Sequence, residues 1–107
     1  MNKRIDKLLQ DMRLRPGVYF GTSTPSIKAL SDTLAGYIWC LSEETGEPAS
    51  YFNEFQEFIQ KHYDIHSMQH WSDIIRFFCT SDVEAFHTFF ELYDEFKKQE
   101  EHKGTVS

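Results

Sequence analysis

Thr24-Pro-Ser-Ile-Lys-Ala-Leu-Ser-Asp-Thr-Leu-Ala-Gly-Tyr-Ile-Trp-Cys-Leu-Ser42 is the stretch that decides the fold. Ile27, Leu30, Leu34, Ile38 and Leu41 recur at three- and four-residue intervals, which lays one continuous apolar stripe along a helix. Thr24 is a good capping residue, and Pro25 suits a first helical position because no N–H is missed there. A helix from about 25 to 42 would span about 25 Å, enough for the central strut of a small domain. Gly36 inside it costs roughly 1 kcal/mol relative to Ala, so a close packing contact is expected there.

Working outward, every other long segment repeats the helical period. Asn2 can cap a first helix over about 3–13, with Ile5, Leu8, Leu9 and Met12 on one face. Arg15-Pro-Gly-Val-Tyr-Phe-Gly21 is turn-rich, and Val18 to Phe20 form a short apolar run with no strand partner. A helix over about 50–63 turns Phe52, Phe55, Phe58, Ile59 and Tyr63 inward, and one over about 68–79 presents Trp71, Ile74, Ile75 and Phe78. Ser81-Asp-Val-Glu84 is a capping box that starts a fifth helix with Val83, Phe86, Phe89, Phe90, Tyr93 and Phe96 inward. The expected architecture is all-α: one compact bundle of about five helices over 1–98, with a frayed polar tail over 99–107.

The chain of 107 residues is long enough for one core without staples, and 10 Phe supply it. No apolar run reaches the ~20 residues of a membrane span, and the N-terminus lacks a signal-peptide pattern, so a cytoplasmic protein without membrane contact is expected. Cys40 and Cys79 fall within apolar helical patterns and read as buried, reduced thiols.

Charge is the second informative feature. The net charge is −6. Lys3, Arg4, Lys7, Arg13, Arg15 and Lys28 crowd the first 28 residues. Residues 29–60 hold Asp32, Glu43, Glu44, Glu47, Glu54 and Glu57 and no Lys or Arg. A second base-free run holds Asp82, Glu84, Glu91, Asp94 and Glu95. Such a field repels nucleic acid and attracts basic proteins.

The sequence carries no complete catalytic or metal pattern. His62, His66 and His70 would share a face only on an unbroken helix, and the expected break between Tyr63 and Ser67 separates them. No nucleophile, base and orienting acid fall at a recognisable spacing, and the glycines make neither a phosphate loop nor a dinucleotide fingerprint. No enzyme activity, cofactor or metal is expected.

Arg15-Pro-Gly-Val-Tyr-Phe-Gly21 superficially resembles a loop of DNA gyrase ATPases, but the acid and amide that follow it there have no counterpart here. The fuller resemblance covers Arg15–Gly21, Ser26-Ile27, Leu30, Gly36-Tyr37, Trp71, Asp82, Ala85-Phe86 and Phe89-Phe90. That set resembles small all-helical bacterial immunity proteins of polymorphic toxin and contact-dependent growth inhibition systems. The resemblance implies a monomeric antitoxin that binds a cognate toxin. The acids Asp32, Glu43, Glu44, Glu47, Glu54 and Glu57 are the expected contact surface for a basic nuclease, an RNase in particular. The alternative is a helical adaptor or regulatory module with no toxin link.

Overall fold

Ser26 starts the central helix. Its backbone is extended (φ −147°, ψ 130°), and its hydroxyl accepts the Ala29 N–H at 3.3 Å. The cap therefore sits two residues beyond Thr24, with Pro25 ahead of the helix rather than inside it. In this computed structural model, which describes residues 3–21, 24–46 and 52–106 with side chains through Glu101, the elements are α1 (Lys3–Leu14), α2 (Pro16–Phe20), α3 (Ile27–Thr45), α4 (Asn53–Tyr63), α5 (Trp71–Phe77) and α6 (Asp82–Val106). Among the described residues there is no strand, and no helix is long and apolar enough to cross a membrane. The expected cap Asn2 lies outside the described residues.

The architecture is an all-α bundle, with one helix more than the periodicity predicts. The addition is α2, a single helical turn in the connector. Pro16 presets its first φ, and Gly21 at φ +68° closes it by donating its N–H to the Gly17 carbonyl at 3.2 Å. Val18 stands 74% exposed on this turn, while Tyr19 and Phe20 lean on the core, Phe20 edge-on to Phe86 at 6.1 Å.

α3 is the strut that its stripe requires. Ile27, Leu30, Leu34 and Leu41 are buried, with Ile38 packed at the margin of the core. It ends at Gly46, whose φ of +74° is reached without Cβ strain. Gly36, however, has nothing within 4 Å of the place a Cβ would occupy, so its backbone makes no close contact.

The centre of the molecule is aromatic. Phe55 of α4 is fully buried, with the rings of Phe52, Phe58, Trp71, Phe89, Tyr93 and Phe96 at 4.9–6.1 Å around it. Most meet it edge-on or tilted, the arrangements that ring quadrupoles favour. α6 joins the layers, packing against α3, α4 and α5. Polar bonds tie it to α1: Asp6 accepts from the Tyr93 hydroxyl and from Lys97 Nζ, both at 2.8 Å, and Arg13 grips Asp94 with two nitrogens at 3.2 and 3.0 Å.

Several local expectations shift. α5 stops at Phe77, leaving Phe78 49% exposed, and Val83 is 37% exposed at the start of α6. Cys40 is exposed rather than buried, because its position on α3 falls outside the apolar stripe; Cys79 is half-buried and its thiol donates to Thr88 Oγ1. The capping box forms with a twist. Ser81 Oγ accepts the Glu84 N–H at 3.1 Å, but the Glu84 carboxylate reaches back to the N–H and hydroxyl of Thr80. α6 continues to Val106, through the segment where the sequence suggests an end near Lys98.

Candidate functional site

Of the six acids expected to form the contact surface, the five within the described residues are divided between α3 and α4. Asp32 is exposed on α3, where Lys28 one turn earlier reaches it at 3.1 Å. Glu44 lies about three turns further along the same helix, where Arg4 of α1 meets it at 3.6 Å. Glu43 is exposed beside it. Glu54 and Glu57 are exposed on one face of α4. Glu47 lies outside the described residues. The run that lacks bases in the chain therefore gains them in space, since folding brings Arg4 and Lys28 to two of its acids. Glu43, Glu54 and Glu57 make no ion pair among the described residues.

The second acidic run divides the same way. Arg13 holds Asp94, Arg76 holds Asp82 at 2.7 Å, and Thr80 holds Glu84. Those hydrogen bonds keep the Glu84 carboxyl below its ordinary pKa. Glu91 and Glu95 are exposed and form no ion pair among the described residues. Their flank of α6 is defined by Thr88, which meets Cys79, and by Gln99, which faces α4. The opposite flank is taken by α1 through Asp94 and Lys97. Glu54 and Glu57 border the seam between α4 and α6. A groove of about 400 Å³ opens in it, lined by Glu54, Glu57, Phe58, Lys61, Phe96 and Glu100.

Along this seam a file of rings passes from the core to solvent. Phe96 contacts Phe58 at 5.5 Å, Phe58 contacts His62 at 6.2 Å, and His62 meets Tyr63 at 4.7 Å. Tyr63 stacks on Phe78 at 4.5 Å with an interplanar angle of 8°, and Phe78 meets Phe77 at 5.2 Å. Phe96 is 5% exposed and Phe77 is 78% exposed, so the file ends in water. The Tyr63 hydroxyl has its pKa raised, first by burial and then by the negative charge of Cys79 and Glu91 in their ionised forms. Sequence reasoning missed this patch by placing Phe78 in the core. The signal was the adjacent pair Phe77-Phe78: side chains about 100° apart on a short amphipathic helix leave little room for both inside.

The three histidines occupy three different settings. His62 closes α4, His66 pairs with Asp64 at 3.0 Å in the following connector, and His70 caps α5. His70 Nδ1 accepts the Ser72 N–H at 3.3 Å and lies 2.7 Å from Ser72 Oγ, which places the ring proton on Nε2. Burial pulls the His70 pKa down, against a smaller upward effect of Asp73. Among the described residues no three His, Cys, Asp or Glu side chains gather in a way that could hold a metal ion. His70 also lies at the junction of two clefts between α3 and α5. One of about 300 Å³ is walled by Trp39, Phe52 and Trp71; the other, of about 450 Å³, is walled by the Lys28, Asp32, Arg76 and Asp82 side chains. Those four charges are paired with one another, and Asp73, which also lines this cleft, has no ion pair among the described residues.

No family model matches the chain, and neither a curated protein nor a solved structure matches it.

Proposed function

We propose that the protein is an immunity protein. It binds a cognate bacterial toxin, a basic nuclease such as an RNase, and blocks the active site with acidic side chains. The observation that carries this reading is the exposure of Glu43, Glu54 and Glu57, which have no ion pair among the described residues, while Asp32, Glu44, Asp82 and Asp94 are paired within the fold. A nuclease cleft holds phosphates with Lys and Arg, and carboxylates on a rigid helix offer it the same charge without a scissile bond. Complementary charge also speeds capture, which matters where free toxin is lethal. The inhibitor needs no catalytic group, acts in the cytoplasm beside the toxin's target, and works as a monomer.

The test is co-expression with the reading frame immediately upstream of the gene. The parent protein should permit growth, whereas the triple variant Glu43→Lys/Glu54→Lys/Glu57→Lys should fail to protect. Its association rate should fall at least tenfold at low salt and lose most of its salt dependence. Full protection by the charge-reversed variant would defeat the mechanism. A second reading, a helical adaptor with no toxin link, is favoured by the exposed Phe77 and Phe78, because an apolar patch marks a protein-binding surface whatever the partner does. An upstream frame that causes no growth arrest would select it.

A further inference from the structure

We infer that His70 is a pH-sensitive latch on the start of α5: the neutral imidazole holds the first turn of that helix, and a proton on the ring releases it.

The latch follows from which atoms meet. Trp71 and Ser72 are the first two residues of α5, so their N–H groups find no carbonyl within the helix. Two side chains serve them instead. Gln56 of α4 accepts the Trp71 N–H on Oε1 at 2.7 Å, while its Nε2 donates to the Gln69 carbonyl at 2.7 Å. His70 takes the second: its Nδ1 accepts the Ser72 N–H at 3.3 Å and lies 2.7 Å from the Ser72 hydroxyl. The Gln56 amide does not titrate, whereas an imidazole does so near neutral pH. A proton on Nδ1 turns that acceptor into a donor. The contact with the Ser72 hydroxyl survives by reversing its direction, but the Ser72 N–H is left facing another N–H. Ser72 is 8% exposed, which gives water little access to replace the lost acceptor. His70 itself is exposed, so the proton reaches it from solvent.

The surroundings set the direction of the response. Lys28 and Asp32 of α3, Asp73 and Arg76 of α5, and Asp82 of α6 line one of the two clefts that His70 borders. From α4, Asn53 and Gln56 line the other and carry no charge. Lys28 pairs with Asp32 and Arg76 with Asp82, which leaves Asp73 as the carboxylate that favours a charged ring. Burial opposes it more strongly, and the His70 pKa falls below its ordinary 6.5. A histidine held neutral by the fold stabilises fully above that ordinary value and loses its contribution as pH falls through the lower folded one. The latch is therefore closed at neutral pH and open in mild acid. It governs the wall of the cleft between α3 and α5 that His70 and Trp71 form together.

The test uses the whole protein at about pH 7.5 and about pH 5, on either side of the ordinary imidazole range and above that of carboxylates. Imidazole nitrogen NMR at the higher pH should find the His70 proton on Nε2. Protection of the Ser72 amide against hydrogen exchange, corrected for the intrinsic pH dependence of exchange, should fall roughly fivefold at the lower pH. His70→Asn offers a capping oxygen that does not titrate and should protect Ser72 equally at both pH values. His70→Ala should lack that protection at both. The other histidines titrate in every variant and so cancel in the comparison. A proton on Nδ1 at the higher pH, or equal Ser72 protection of the parent at the two pH values, would overturn the latch. A fall in His70→Asn that matches the parent's would assign the response to another group and overturn it too, as would full protection in His70→Ala.

Discussion

Removing Asp6 tests how the two ends of the chain are held together. Its carboxylate accepts from the Tyr93 hydroxyl and Lys97 Nζ, each at 2.8 Å, and from Gln10 Nε2 at 3.4 Å. Tyr93 is fully buried, and burial first and Asp6 second push its phenol pKa far up, so it is a donor at every working pH. Asp6→Ala strands that hydroxyl, which costs about 1–3 kcal/mol, and removes a partly buried ion pair, its side chains 31% and 30% exposed, worth about 1 kcal/mol. The expected loss is about 2–3 kcal/mol, or roughly 4 °C of melting temperature per kcal/mol in a domain of this size. Asp6→Asn keeps an oxygen for Tyr93 and should lose only about 1 kcal/mol. Burial raises the Asp6 pKa, but the bonds from Lys97, Tyr93 and Gln10 together bring it below its ordinary value of 3.8. A carboxyl more acidic in the folded than in the unfolded chain stabilises fully above that ordinary value and loses its contribution as pH falls through the folded one. Urea titrations between pH 7 and pH 2 should therefore show the gap between parent and Asp6→Asn closing below about pH 4. Equal stabilities at pH 7, or a gap that persists unchanged in acid, would refute the reasoning.

Two further stability predictions follow from the core and the central cap. Phe55→Ala empties the place where six rings meet and should cost about 3–5 kcal/mol by denaturant unfolding, close to the whole stability of a small domain. Ser26→Ala removes the hydroxyl that caps α3 and should cost about 1 kcal/mol, whereas Thr24→Ala should leave that cap unchanged.

The helical period makes α3 readable in the sequence, because Ile27, Leu30, Leu34 and Leu41 must share a face whatever packs against it. α2 is not readable in the same way. A five-residue helix is too short to stand alone, and it persists here through the contact of Phe20 with Phe86, 66 positions away in sequence numbering. Ser26 rather than Thr24 caps α3 because an extended Ser26 follows Pro25 directly and still reaches Ala29. The candidate surface was half legible. Exposure of Glu54 and Glu57 follows from their place opposite Phe55 and Ile59, but pairing is a property of space. Nothing in residues 29–60 reveals that Arg4 will arrive at Glu44. Phe77 and Phe78 were hidden for a related reason: an apolar pair reads as core until the helix that carries it is seen to end.

The ring file also joins a firmly packed interior to an exposed surface. Phe55 is fully buried and Phe77 is 78% exposed, yet a chain of ring contacts joins them through Phe58, His62, Tyr63 and Phe78. Stability resides at the inner end, where each ring is surrounded; the outer rings, open to water on one side, add little to it. Substitutions at the two ends should therefore separate cleanly. Phe55→Ala should lower the melting temperature sharply, whereas Phe77→Ala should leave it unchanged. Tyr63 sits between them, its ring on Phe78 and its body against the core. Tyr63→Ala should fall between the two, lowering the melting temperature and releasing Phe78 from its stacked orientation. A Tyr63→Ala protein that melts like the parent would show that the outer rings do not depend on the inner ones.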